Sequence, residues 1–447
     1  MLRNPSIARR LPPGAARNAV RLSFAKSMLG AIYGASTGGM FLIGYALKLG
    51  ATNVQIGLMS TIPMLFIGVQ LAAAAFVERG VSRRWLTFVA ALLNVSGWAL
   101  IILIPYAAAH VSPATRVGLL IGVITVVTLF AYISGNARGS WIGDLIPARF
   151  RGTFFGRMTL YGGIVASLFA ILEGGFLDIV KEHGLVAFSV LFGFGMIFGL
   201  INAFLFLPQK DVPVQRHESS TNVLQMVRDT LTNRQLMWVA LFATLWSLQS
   251  VAGPFFATYM LRDLKMPFFG VGIVNAFFMV AFLTSGPFWG RMVDRWGCRP
   301  VLTACTTTIG LVQLAWLWVD SAARVYRTIP VVNLLAGFVV GGVSVALNTL
   351  VYKVTPAAGR AVQLAVYSII VVLLAAPMPA LGGHLPDWLS RLGLAHDLRY
   401  TFYAAGFFML ASALVARRIG EPGSRRARHM LRDLGSQWLA PILRWRE

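Results

Sequence analysis

Apolar residues along the chain gather into stretches of roughly 20, about the length an α-helix needs to cross a hydrocarbon core of about 30 Å. Twelve such stretches run at 24–48, 57–77, 85–107, 114–134, 159–180, 185–207, 236–259, 270–289, 300–319, 329–352, 361–382 and 399–417. Polar and charged residues collect in the gaps between them. The pattern predicts an all-α membrane protein with 12 transmembrane helices.

Composition agrees with this reading. The chain has 447 residues, 57% hydrophobic and only 12% charged, with a mean hydropathy of +0.70, too few polar groups to cover a water-facing globule of that size. The first stretch is not expected to be a cleaved signal peptide, since a basic segment of 23 residues precedes it and its apolar run is too long.

The net charge of +23 raises the question of nucleic acid, but membrane orientation explains it better. With the N-terminus inside, the inner segments carry 30 of the 39 Lys and Arg residues. Setting both tails aside still leaves 16 inside against 9 outside. Both termini are expected on the cytoplasmic side of a bacterial inner membrane, and no nucleic-acid partner is expected. Cys298 and Cys305, the two cysteines, form no disulfide framework and lack companions for a metal site.

The longest internal polar stretch, 208–235, divides the spans six and six, and landmarks recur across it. "YALKLG" ending span one (Tyr45) matches "YMLRDL" ending span seven (Tyr259) at an offset of 214. "AAFVERGVSRR" matches "GRMVDRWGCRP" at 216, pairing Glu78 with Asp294, Arg79 with Arg295 and Arg83 with Arg299. "DLIPARFRG" matches "KVTPAAGRA" at 209, pairing Arg151 with Arg360. The expected organisation is a basic tail 1–23, a six-helix bundle 24–207, a central loop 208–235, a second bundle 236–418 and a basic tail 419–447, the bundles being pseudo-symmetric.

Gly290, Asp294, Arg295, Gly297 and Arg299, set between the second and third helices of the second half, resemble the signature loop of the major facilitator superfamily. The first-half copy departs from it: Ala74, Glu78 and Val81 stand where the superfamily has Gly, Asp and Gly. The resemblance covers about residues 20 to 420. "SWIGDLIPARFRGTFFGR" further resembles the loop after helix four in a group of bacterial members. The one Arg within 114–134 is Arg116, in the first turn, with none deeper in the span, and span five lacks the Gly-Pro-x-x-Gly-Gly run of drug/proton antiporters.

Charges in the short loops have two readings. Glu78, Arg79, Arg83, Asp294, Arg295 and Arg299 can bond neighbouring helix ends, an acid near an N-terminus and a base near a C-terminus, forming a gate latch that differs between two states. Alternatively the arginines anchor helices to lipid headgroups. Asp144 and Arg151 flank the break after span four; Lys353 and Arg360 hold equivalent places after span ten, so a pairing across the cleft is a further gating candidate.

A charge at the centre of a span costs about 2.5 to 3.5 kcal/mol on insertion scales, so one that is present asks for a reason. Glu173 in span five is such a group, with Gly162, Ala166 and Ala170 on approximately its face. It either carries a proton or meets a cationic solute, or it bonds a neighbouring helix without a part in transport. The resemblance implies that spans one, four, seven and ten surround the path. Their polar and aromatic candidates for substrate binding are Tyr33, Ser36, Thr37, Tyr132, Trp246, Gln249, Ser344 and Asn348.

Pro63, Pro254, Pro287, Pro377 and Pro379 give hinges or fixed curves. The last 23 residues place Leu431, Leu434, Trp438, Ile442 and Trp445 at helical spacing among arginines, which suits a helix on an anionic leaflet or, alternatively, a disordered tail. No G-x-x-x-x-G-K-[ST] loop occurs and no nucleophile-base pair appears at membrane depth, so no cofactor and no enzyme activity are expected. The expected function is secondary transport of a small neutral or cationic organic solute by a monomer in membrane lipid, with proton coupling as an option. The alternative is a transporter-like protein acting in assembly or sensing.

Overall fold

The computed structural model describes residues 13–78, 81–108, 110–145, 148–209, 223–355 and 360–421. Among these residues every regular element is a helix. Nine helical stretches among the described residues are long and apolar enough to cross a membrane: Arg83–Ala107, Pro113–Gly139, Phe154–Ile179, Leu185–Phe204, Arg234–Asp263, Phe268–Trp296, Ala322–Val354, Gln363–Arg391 and Arg399–Ala416.

Three further apolar stretches form interrupted helices. Span one is Pro13–Thr37 followed by Gly39–Lys48; span two is Asn53–Leu65, Phe66–Gly68 and Val69–Glu78; span nine is Cys298–Val312 and Gln313–Trp318. They occupy the places the hydrophobic pattern reserves for them. Helices four and five run on to Leu145 and from Ala148, beyond the apolar stretches, so Arg138 sits on a continuous helix although it lies outside 114–134. The central loop contains a short helix, Val223–Thr232, where only a polar stretch was expected.

Local chemistry sets the helix ends. Thr52 and Gln55 form a reciprocal capping box at the start of span two, with Gln55 N donating to Thr52 Oγ1 at 3.3 Å and Thr52 N to Gln55 Oε1 at 3.0 Å. Asn233 accepts from Leu236 N at 3.1 Å where span seven begins. Gly297, with φ at +92°, turns the chain from span eight into span nine, a backbone conformation that favours glycine.

The repeat read from sequence recurs in three dimensions. Tyr45 Oη donates to the Ile101 carbonyl and Tyr259 Oη to the Val319 carbonyl, both at 2.7 Å. Tyr45 packs on Phe188 and Tyr259 on Phe402, each pair with ring centroids 5.8 Å apart. The phenylalanines stand at the same offset as the tyrosines. Ile101 has a specific need of this bond: four residues later comes Pro105, inside the same helix and without an N–H to donate.

The two halves meet unequally. One core cluster joins Tyr45, Phe188, Phe255 and Phe402 across both halves, toward the face opposite the termini. A second, containing Trp289, Trp296 and Cys305, draws only on spans seven to twelve. At the shared face, added Cβ atoms on Gly57 and Gly383 would lie 2.3 Å from the Pro379 carbonyl oxygen and 2.5 Å from the Asn53 carbonyl oxygen. Polar bonds accompany this close packing: Arg262 Nη1 donates to Asn53 Oδ1 at 2.7 Å, and Ala380 N to Thr61 Oγ1 at 3.1 Å. Asp178 accepts from Phe268 N at 2.9 Å and Phe269 N at 2.8 Å, an acid placed on the N-terminus of span eight.

Tyr45→Phe should leave the Ile101 carbonyl, already without its helical donor, unpaired in the core, at a cost of about 1 to 3 kcal/mol. The check is thermal unfolding of the purified protein, where a melting temperature equal to that of the native chain would contradict the assignment.

Candidate transport site

A cavity of about 410 Å³ opens where span one breaks. Gly39 has φ at +53°, the left-handed region where a side chain is strained, and the helix restarts from it. Gly253, at the same 214-residue offset as the paired tyrosines, follows a 3-10 turn, Leu248–Val251, in span seven. Both glycines line this cavity.

The remaining wall is apolar with four carboxamides, Gln249, Asn275, Gln313 and Asn333. Asn333 Nδ2 is engaged, donating to the Val274 carbonyl at 2.8 Å. Phe256 and Trp316 stand with ring centroids 5.1 Å apart in the same wall. A second cavity of about 380 Å³ lies between spans one, five and eight, and Gly39, Met40 and Asn275 border both.

Glu173 is buried, 5% exposed, and its Oε1 lies 2.5 Å from Ser36 Oγ. Ser36 Oγ is also 2.9 Å from the Ile32 carbonyl. A serine hydroxyl carries one proton. Both contacts are fully satisfied when Ser36 donates to Ile32 and a protonated Glu173 donates to Ser36. Glu173 Oε2 has no hydrogen-bond partner among the described residues. The small face of span five packs as its residues suggest: a Cβ on Gly162 would lie 3.2 Å from Ser27 Oγ of span one, and the Ala170 carbonyl approaches Gly272 of span eight.

Of the sequence candidates for substrate binding, Gln249 lines the larger cavity. Tyr33 donates to Asn94 Oδ1 at 2.9 Å and packs against Gly199. Thr37 donates to the Tyr33 carbonyl at 2.6 Å and faces Gly195. Trp246 packs against the second core cluster, Tyr132 is half-buried and Asn348 is exposed. Asn275, Gln313 and Asn333 were not singled out from sequence, because two of them lie on spans eight and nine, which the family pattern does not put around the path. The helix break at Gly38–Gly39 was the available signal.

A buried cation was also passed over. Lys26, 2% exposed, bonds Gln209 Oε1 and lies 4.3 Å from the Phe206 ring centroid and 5.6 Å from that of Trp141. It ties span one to spans four and six at the end near the termini.

Among the gating candidates, Asp294 and Arg295 are both exposed, and the Arg295 guanidinium stacks over Trp296 at 5.3 Å. Arg83 is buried, 3% exposed. Arg79 and the side chains of Glu78, Asp144, Arg151 and Arg360 lie outside the described residues, as does the tail 422–447. Arg299 contributes its backbone: Glu421, just past span twelve, accepts from Arg299 N at 2.9 Å and Cys298 N at 3.1 Å, and from Lys353 Nζ at 3.0 Å. One carboxylate thus caps span nine and holds the end of span ten.

These features define a multi-pass helical membrane protein built from two related halves. The second half of the chain, residues 237–446, matches the family model described as "Major Facilitator Superfamily", and solved transporters share the fold of the whole. A bacterial homologue of the human lysosomal transporter Spinster, inward-facing and unoccupied, superposes with a TM-score of 0.68 at 13% identity over 92% of this chain and 100% of that one. A mutant of the nucleoside transporter NupG gives 0.66 at 13% identity over 90% and 100%. A bacterial homologue of the iron transporter ferroportin, inward-facing, gives 0.64 at 15% identity over 91% and 98%. Among curated proteins none matches the chain in sequence.

Burial raises the Glu421 carboxyl, but the two backbone N–H groups and Lys353 outweigh it and hold the group below its ordinary value of 4.5. Stability gained this way is complete above the usual carboxylate range and disappears as pH falls through the depressed value. Glu421→Gln should therefore lower the melting temperature at neutral pH, and the gap between variant and native protein should narrow as the medium is acidified below 4.5. A gap that stays constant with pH would contradict the charged cap.

Proposed function

We propose that the chain is a secondary transporter that moves a small neutral or cationic organic solute by alternating access, with Glu173 as the group that takes up and releases a proton. The observation that carries this reading is the unequal contact of the two halves: a common core at the face opposite the termini, and a second-half core of its own toward the other. Alternating access requires such an asymmetry, exchanged between two states. With both termini in the cytoplasm, as the charge distribution favours, this state faces inward.

Residues 24–207 and 236–418 act as the two rocking bundles, in a monomer of the bacterial inner membrane. The inner gate consists of Glu78, Arg79, Arg83, Asp144, Arg151, Asp294, Arg295, Arg299 and Arg360, with Glu421 bracing the second-half copy. Tyr33, Thr37, Tyr132, Trp246, Gln249 and Asn348 serve the solute path, Gln249 by direct contact. Glu173 suits proton carriage because Ser36 offers it a partner, one carboxylate oxygen is free among the described residues, and the nearby small-residue cavity leads toward the path. A nucleoside carrier among the structural neighbours is consistent with an organic solute of modest size.

Purified protein in proteoliposomes should show solute-driven counterflow. Folded protein inert toward a broad neutral and cationic library would favour an assembly or sensing role instead. Glu173→Gln should flatten the pH dependence of uptake, reducing a several-fold change to less than about twofold, while counterflow at matched pH persists. An unchanged pH profile removes Glu173 from the coupling.

A further inference from the structure

The larger cavity carries information about what it holds. Among the described residues its lining includes no Asp, Glu, Lys, Arg or His, so a charged solute would leave water with no counter-charge there to meet it. Three of its carboxamides, Gln249, Asn275 and Gln313, make no hydrogen bond within the described residues. Helix-packing amides at membrane depth ordinarily find partners, as Asn333 and Asn94 do here. Free amides facing one space are donors and acceptors kept for a ligand.

A carboxamide presents a donor and an acceptor side by side in one plane. Its complement is a flat group with the same pair in reverse, such as a lactam or amidine edge; Asn and Gln read adenine edges in this way. A polyol fits poorly, because a hexose carries about five hydroxyls around its whole rim, and those that face the apolar remainder of the wall go unpaired. The wall is otherwise apolar, and Phe256 and Trp316 offer the ring surface that a planar heterocycle uses. The volume of about 410 Å³ admits a molecule of that size.

We infer that this cavity, set between the breaks at Gly39 and Gly253, binds an uncharged planar heterocycle of the nucleobase type through Gln249, Asn275 and Gln313. The inference rests on the transport reading above and narrows its solute to one class. Glu173 lies outside this wall, so proton and solute occupy different places on either side of span one.

The test uses the full-length purified protein with uracil and adenine as probes, and glucose and tetramethylammonium as comparators. Uracil or adenine should raise the melting temperature and drive counterflow, while glucose and tetramethylammonium do neither. Asn275→Ala and Gln313→Ala should each weaken base binding by about tenfold without changing the melting temperature of the unliganded protein. If an alanine variant does not fold, Asn275→Asp, nearly isosteric but with no donor, should abolish uracil binding. Counterflow of glucose or tetramethylammonium with both bases inert would overturn the solute class and leave the transport reading standing. Counterflow of no solute would overturn both. Base binding that survives all three variants would place the site elsewhere and overturn the assignment.

Discussion

The bilayer interior supplies no water to satisfy a backbone N–H or C=O, and the rest of this structure depends on that constraint. Uninterrupted helices meet it automatically. Spans one, two, seven, nine and eleven are interrupted, and span three carries a proline at position 105, so each must find another solution. The Tyr45 hydroxyl on the Ile101 carbonyl is one such solution, and the cavity at the Gly38–Gly39 break is where span one faces its own. Irregular backbone at depth is tolerated only against protein or a water-filled space. A fold that breaks equivalent helices at Gly39 and Gly253 therefore directs attention to the space between them.

The proposed alternating access adds a second constraint, that two stable arrangements differ in few contacts. The closed face relies on glycines and backbone atoms: Gly57 against Pro379, Gly383 against Asn53, Gly174 against Phe268. Close backbone approach has a short range and is lost almost completely on a small rotation. The polar bonds there, Arg262 to Asn53 and Asp178 to the first N–H groups of span eight, join one half to the other. By contrast Glu421 bonds spans nine and ten within one half. In the proposed alternating-access cycle, bonds of the first kind are those that a rotation of the halves breaks, whereas those of the second kind keep a half rigid while it turns.

Much of this was legible in the chain because it depends on composition and period. Runs of about 20 apolar residues mark spans wherever they fall, and Tyr45 and Tyr259 declare the repeat because each ends an equivalent helix. The site was less legible. Tyr33 and Thr37 carry hydroxyls, but in space Asn94 and the preceding turn engage them. Sequence gives the groups and conceals their partners. Glu421 lies beyond the last apolar stretch and looks like an ordinary surface acid; only the return of span twelve beside span nine makes it a helix cap. Asn275 and Gln313 are single amides in apolar runs, and nothing in the runs distinguishes them from Asn94, which is fully occupied by Tyr33 and the Val127 carbonyl.

Span one is where the proposed proton and solute come closest. Ser36, three residues before Gly39, contacts Glu173, and Gly39 borders both cavities. When Glu173 is protonated, its proton can go to Ser36 while Ser36 keeps its own bond to the Ile32 carbonyl. When Glu173 is ionised, Ser36 has one proton for two acceptors, and giving it to the carboxylate leaves the Ile32 carbonyl with its helical N–H partner alone. A helix continuous through residue 38 would spread that conflict along its length, whereas a helix that already ends at Thr37 can relieve it by turning its first segment alone. In the proposed cycle the break at Gly38–Gly39 is the point at which a proton on Glu173 can act beside the solute without direct contact between them, a coupling that needs no charge within the apolar wall.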